Sequence, residues 1–411
     1  MLGEHLVEQG RPAAAGADDK NGFFDHGSPV GWDAIAQTAA AGGNLSVAFG
    51  DRKPIVFRLA RVSRDEPKAA FDGRWRGLSA EIHAASCNGH TTGMPIPPRP
   101  NPLHSALAIP YRWAAYSSGS ALRHARSVRR PRILMYHIVG DDEVSTRQFE
   151  WQLRFLRKHL EPVGLGELAN RVQAGTVTGR EAVITFDDGV RNHFTVAWPL
   201  LRAYAVPATF FVCPGLIESG DWLWRTELRM RLKSLGNAER GEVARNAGCP
   251  ESAAEAIMEW TKTLSMDDRR VFQTSVEKLT RDFSPRPEDT ERHAPLTWDQ
   301  VRQMDASLIT IGSHTSTHPM LPTLDDSTLE TEIAGSRRAL EQKLDRCVDL
   351  FSYPNGANNA AVVKLARQNY RAAVTTQKAF VAEGNDLATL PRVPGGGGRA
   401  TFVRRLHKPT A

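Results

Sequence analysis

The chain has 411 residues, 41% hydrophobic and 24% charged, with a formal net charge of +6. That is ordinary globular make-up, with room for one large domain plus extra material or for two domains. The basic residues form no nucleic-acid face, since the cluster RHARSVRR (Arg123–Arg130) reads as a solvated linker. Cys87, Cys213, Cys249 and Cys347 include no CxxC pair, which excludes a zinc knuckle and a disulfide framework.

The opening MLGEHLVEQGRPAAAGADDKNG lacks an apolar signal region, and its acids oppose a transit peptide. The stretch Leu103–Leu122 is too polar to span a bilayer. These readings predict no integral membrane segment and a cytoplasmic compartment by default. Oligomeric state leaves no mark in the sequence. Residues 1–102 read as an N-terminal extension ending in a Pro-rich linker, with a helix and two short strands predicted between residues 31 and 62. Residues 103–130 read as a helical, basic lead-in.

From Arg130 onwards, apolar runs alternate with helical patterns. Strands are predicted at Arg132–Val139, Glu181–Asp188, Pro207–Cys213, Leu308–His314, Val348–Pro354, Arg371–Thr376 and Ala388–Val393. Helices are predicted in STRQFEWQLRFLRKHL, which opens on a Ser/Thr cap, and in DDSTLETEIAGSRRALEQKL, with acids early and bases late. This alternation predicts a parallel α/β barrel or open sheet over 131–395, with function at the carboxyl ends of the strands. Residues 217–295 carry no strand pattern and read as a helical insertion, in which core packing of Trp222 and Trp224 is favoured over a sugar platform. Residues 396–411 read as a C-terminal tail.

Three strand ends carry unusual residues. AVITF runs into Asp187, Asp188 and Gly189; LITIGS runs into HTSTHP, with His314 and His318 four apart; and His137 follows MY. Adjacent carboxylates repel and resist burial, so they read either as a solvated turn or as a site where a cation offsets one of them. Two histidines at that spacing plus a carboxylate from another strand give a three-ligand site with open positions, as in catalytic zinc centres.

In that order and spacing, TFDDG, HTSTHP and FSYPNG resemble the polysaccharide deacetylase family (NodB homology domain, carbohydrate esterase family 4), over roughly Arg130 to Gly395. The resemblance implies a distorted (β/α)7 barrel and a hydrolase that removes N-acetyl groups from an N-acetylated glycan. It implies Asp187 as general base and Asp188, His314 and His318 as ligands of a divalent metal, with zinc the first choice and cobalt, nickel or iron also suited to such ligands. In the third motif, Tyr353 would pack the site wall and a backbone N–H near Asn355 would stabilise the oxyanion.

The sequence also departs from the family. Ser352 stands where many members have Arg, and LPRVPGGGG offers no late LxH histidine. MYHIV resembles the branch containing poly-N-acetylglucosamine deacetylases, which makes His137 the expected general acid; the competing reading is a satisfied core histidine. Arg392 is expected to orient Asp187 in place of the absent Arg. Ser313 and Thr317 are expected to bond locally, and His193 and His407 to lie on the surface. The alternatives are a hydrolase of another non-peptide C–N amide on the same barrel, or a non-catalytic carbohydrate-binding relative.

Overall fold

The computed structural model describes residues 21–24, 44–47, 55–58 and 112–410 except 114, 141–142 and 306–307. It divides into two units, Met1–Pro95 and Ile96–Ala411. In the first, β1 (Asn21–Phe24) pairs parallel with β2 (Asn44–Val47), which pairs antiparallel with β3 (Ile55–Arg58). The latter two are the strands expected there. β1 is additional, and the expected helix and the Pro-rich linker lie outside the described residues.

The second unit is a closed parallel barrel. Its strands are β4 (Arg132–Tyr136), β6 (Glu181–Phe186), β7 (Ala208–Val212), β8 (Ile309–Ser313), β9 (Leu350–Ser352), β10 (Ala372–Lys378) and β11 (Leu390–Pro394). β4 closes it by pairing with both β11 (Leu134 opposite Val393) and β6 (Leu134 opposite Ile184). A further two-residue strand, β5 (Glu161–Pro162), adds to β6. All residues of β6 are buried, as a parallel strand covered on both faces requires.

Strand alternation sorts the core into two layers. Ile133, Val183, Phe211, Leu350, Val374 and Leu390 cluster with Leu165 and Leu168. Their neighbours Leu134, Ile184, Phe210 and Val393 pack instead against Phe149, Leu153 and Leu156 of the helix Thr146–His159. That helix begins with a capping box, Ser145 accepting from the Gln148 N–H and Gln148 from that of Ser145. The second expected helix forms as Asp326–Glu330 and Ser336–Leu344, joined by a wider π turn at Thr331–Gly335. Within 396–411, Arg399–Arg405 is a helix that buries Phe402 and Val403 in the main core.

Residues 217–295 are helical, and among the described residues there no strand forms. The helices Trp224–Ser234, Asn237–Asn246, Ala254–Trp260 and Met266–Leu279 share a separate core around Leu232, Ile257, Phe272 and Val276. Among the described residues, no helix is long and apolar enough to cross a membrane.

Candidate active site

β6 delivers Asp187 at its carboxyl end. The chain then turns through two left-handed residues, Asp188 (φ 82°) and Gly189 (φ 68°). A β-carbon on Gly189 would lie 3.0 Å from the Val212 backbone, so only glycine fits that approach. The turn sends the adjacent carboxylates to different partners. Asp187 receives Arg392 in a two-pronged pair, Nη1 to Oδ1 at 2.8 Å and Nη2 to Oδ2 at 2.6 Å, and the Ser352 hydroxyl at 3.2 Å.

Arg392 is fully buried on β11. Its remaining N–H groups donate to the Thr375 carbonyl, Thr185 Oγ1 and Ser352 Oγ. All five guanidinium donors thus find acceptors, the condition for a buried ion pair to persist. Burial, the largest single influence, would raise the Asp187 pKa, but the charge and hydrogen bonds of Arg392 together with the nearby His314 and His137 outweigh it and hold the pKa at about 2.

Asp188 Oδ1 lies 3.6 Å from Nε2 of His314 and of His318. His314 follows β8 and donates from Nδ1 to the Ser352 carbonyl at 2.7 Å, which turns the Nε2 lone pair towards Asp188. His318 is reached through a turn with Thr315 (φ 65°) and His318 (φ 60°) left-handed. Thr315 Oγ1 accepts from the His318 N–H. Glu332, carried by the π turn, accepts from the N–H groups of Ser316 and Thr317 and from the Thr317 hydroxyl. Ser313 bonds Ser336.

Burial would raise the Asp188 pKa, but the His314 imidazole beside it and the other nearby histidines hold it far below the usual carboxylate range. Burial, with His314 adding to it, pulls His318 down to about 3. On His314 burial also acts downwards, but the two aspartates prevail and raise it. Asp188, His314 and His318 offer one oxygen and two nitrogens within 4.8 Å of one another, the one such cluster among the described residues. The donor set, with one imidazole already oriented by a backbone carbonyl, fits a divalent cation with open coordination positions.

His137, just beyond β4, is not a core histidine. Its side chain is 41% exposed, with Nδ1 4.0 Å from Glu143 Oε2. The loop carrying it is held from behind. His193 Nε2 donates to the His137 carbonyl at 2.7 Å, and Asn192 bonds both the N–H and the carbonyl of Val139 at 2.9 Å. His193 was expected on the surface. It is instead fully buried between Phe186 and Phe210. His407 is half-buried, its Nδ1 donating to the Val403 carbonyl.

Burial lowers the His193 pKa to about 4. The unfolded chain therefore takes up this proton first, between pH 6.5 and about 4. Stability from His193 is complete above pH 6.5 and is lost as pH falls through that window, by about 3 kcal/mol. Urea unfolding at pH 7 and pH 4.5 should show the loss, and His193→Gln should flatten it; an unchanged slope in the variant would refute the assignment.

Tyr353 is displaced from its expected place. Alternation turns it away from Ser352, so its ring packs on Phe351 and its hydroxyl donates to the Ala388 carbonyl, away from the cavity. The others converge: His137, Asp187, Asp188, His314, His318 and Asn355 line one cavity of about 430 Å³, with Arg392 buried behind Asp187. Asn355 takes a left-handed conformation (φ 55°) there. A larger cavity, of about 730 Å³ and bordered by Trp260 and Phe272, lies within the insertion. It lacks the converging donors.

Sequence reasoning missed the contribution of the insertion. Leu223, Arg225, Thr226 and Arg229 border the 430 Å³ cavity. Arg225 Nη1 donates to Asn355 Oδ1, and Trp224 Nε1 donates to the His318 carbonyl at 3.2 Å. Trp224 thus joins the insertion's own core to the histidine turn. No motif announces these contacts, because they depend on docking rather than on local pattern.

A parallel barrel whose strand ends gather ionised carboxylates and oriented imidazoles has the build of a hydrolase. Residues 174–374 match the family model described as Polysaccharide deacetylase. A Bacillus subtilis relative described as polysaccharide deacetylase YxkH is 22% identical over 281 residues, covering 65% of this chain and 73% of its own. Two solved structures are similar. The Streptococcus pyogenes deacetylase PplD in complex with acetate shows 20% identity and a TM-score of 0.45, covering 64% of this chain and 92% of that one. IcaB from Ammonifex degensii shows 18% identity and a TM-score of 0.44, covering 69% and 97%.

Proposed function

We propose that this protein removes N-acetyl groups from an N-acetylated glycan, through a catalytic domain spanning 131–395. The observation that carries the reading is an ionised carboxylate, Asp187, lining the same cavity as the Asp188–His314–His318 cluster. A divalent metal held by those three residues, zinc first and cobalt, nickel or iron also suited, would polarise the amide carbonyl and acidify a water.

The protein's own groups do the rest. Asp187 stays anionic at neutral pH, and Arg392 and Ser352 fix its plane so that it can accept the proton of an attacking water. The backbone N–H near Asn355 is assigned to the developing oxyanion. His137, at the cavity wall with its backbone held by His193, is assigned to protonate the leaving amine.

The test is acetate release from N-acetylglucosamine oligomers by protein stripped with a chelator and then reloaded with zinc or cobalt. Acetate is expected only after loading, and His137→Ala should lower kcat by about 10² or more. Metal binding without acetate would favour a small-amide hydrolase. No metal binding would leave a carbohydrate-binding relative.

A further inference from the structure

We infer that the helical insertion gives the cavity a subsite for an anionic group, a carboxylate or a phosphate, on the N-acetylated substrate, with Arg225 and Arg229 as the recognising side chains. The inference rests on the deacetylase reading and names the substrate class more narrowly.

Arg225 and Arg229 lie four apart on the helix Trp224–Ser234, which puts both on one face, and both border the cavity. Like charges at that spacing disfavour a helix, so the arrangement needs a compensating reason. Few acids supply one. The Arg225 side chain is only 16% exposed, and its bonded partner is the neutral Asn355 amide. Its carboxylate neighbour, Glu259, is 4.0 Å away and 65% exposed. Arg229 engages Glu255 through Nε at 3.1 Å.

The acids of the barrel are engaged elsewhere. Asp187 holds Arg392, Asp188 faces the two histidines, and Glu143 stands beside His137. Burial and the neighbouring Arg229 charge act to lower the Arg225 pKa and prevail over Glu259, Asp188 and Glu255, which act to raise it. An anionic oxygen group would meet the planar donor fork that arginine offers to carboxylates and phosphates. Arg225 also touches Asn355, and Trp224 touches the His318 carbonyl, so such a group would be bound next to the reacting sugar.

A purely structural role, tying insertion to barrel, would make no distinction between charged and neutral substrates. The experiment therefore measures a preference. Metal-loaded enzyme is given neutral N-acetylglucosamine oligomers, the same oligomers carrying a uronic acid, and the same carrying a terminal phosphate, and kcat/KM for acetate release is compared.

One anionic series is expected to exceed the neutral one by about tenfold to a hundredfold, as a charge-assisted hydrogen bond allows. Which series wins identifies the source of the charge. The preference should shrink at high salt and fall at least tenfold in Arg225→Gln and in Arg229→Gln, with Arg225→Lys retaining part of it. Equal kcat/KM for all three substrates in the wild type, or variants that slow all three alike, would overturn the subsite. Acetate from none would overturn the deacetylase reading instead. Calorimetric binding of the charged oligomers to wild type and Arg225→Gln would then still decide the subsite, equal affinities refuting it.

Discussion

Asp187→Asn is expected to lower kcat for acetate release by about 10³ while leaving metal content unchanged, because general-base loss costs roughly 10²–10⁴. The substitution keeps the shape of the side chain, removes its negative charge and turns one of the two oxygens that accept from Arg392 into a donor NH2. It leaves Asp188, His314 and His318 in place, so the folded variant should still bind one equivalent of zinc. It also strips Arg392 of its counter-ion, so kcat must be referred to the folded fraction. Metal content and acetate release on the same sample decide the matter. Activity within tenfold of wild type would remove Asp187 from the base role.

The second large effect is on stability. Arg392→Met should destabilise the fold by about 3–5 kcal/mol at pH 7, the usual cost of removing one partner of a buried ion pair. The sign of its pH dependence follows from Asp187. In the wild type Asp187 titrates at about 2, below its ordinary 3.8, so its contribution is present above pH 3.8 and is lost as pH falls through about 2. Without Arg392, burial is opposed only by His314, His137 and the Ser352 hydroxyl, so that pKa rises and acid neutralises Asp187 more readily, which relieves the variant. Urea unfolding at pH 7 and pH 5 should therefore show a smaller penalty at pH 5, and Asp187→Asn added to Arg392→Met should recover much of the loss. A penalty below about 1 kcal/mol at pH 7 would show that the pair is not what holds Arg392 in place.

The barrel is legible because its strands are continuous apolar runs, a pattern that burial on both faces imposes on parallel sheets. β5 leaves no such trace, since two residues make no pattern. The site is legible where chemistry sits at strand ends: Asp187, Asp188, His314 and His318 reach one cavity because parallel strands all finish at the same rim. Tyr353 is misread although a signal exists, because period-two alternation puts it with Phe351 and opposite Ser352. The same alternation sends Arg392 towards Asp187. His193 has no comparable signal, since nothing local distinguishes a histidine under a loop from one in water. Arg225 and Arg229 depend on how two separately cored regions dock, which no local spacing encodes.

The ion pair behind the cavity joins residues 205 positions apart in sequence. A ribosome making this chain releases Asp187 long before the arginine that will neutralise it. Until β11 arrives to seal the cylinder against β4, burial of that carboxylate is opposed by its own desolvation. The buried carboxylate thus opposes closure on its own, and the last strand to be synthesised carries the arginine that offsets it.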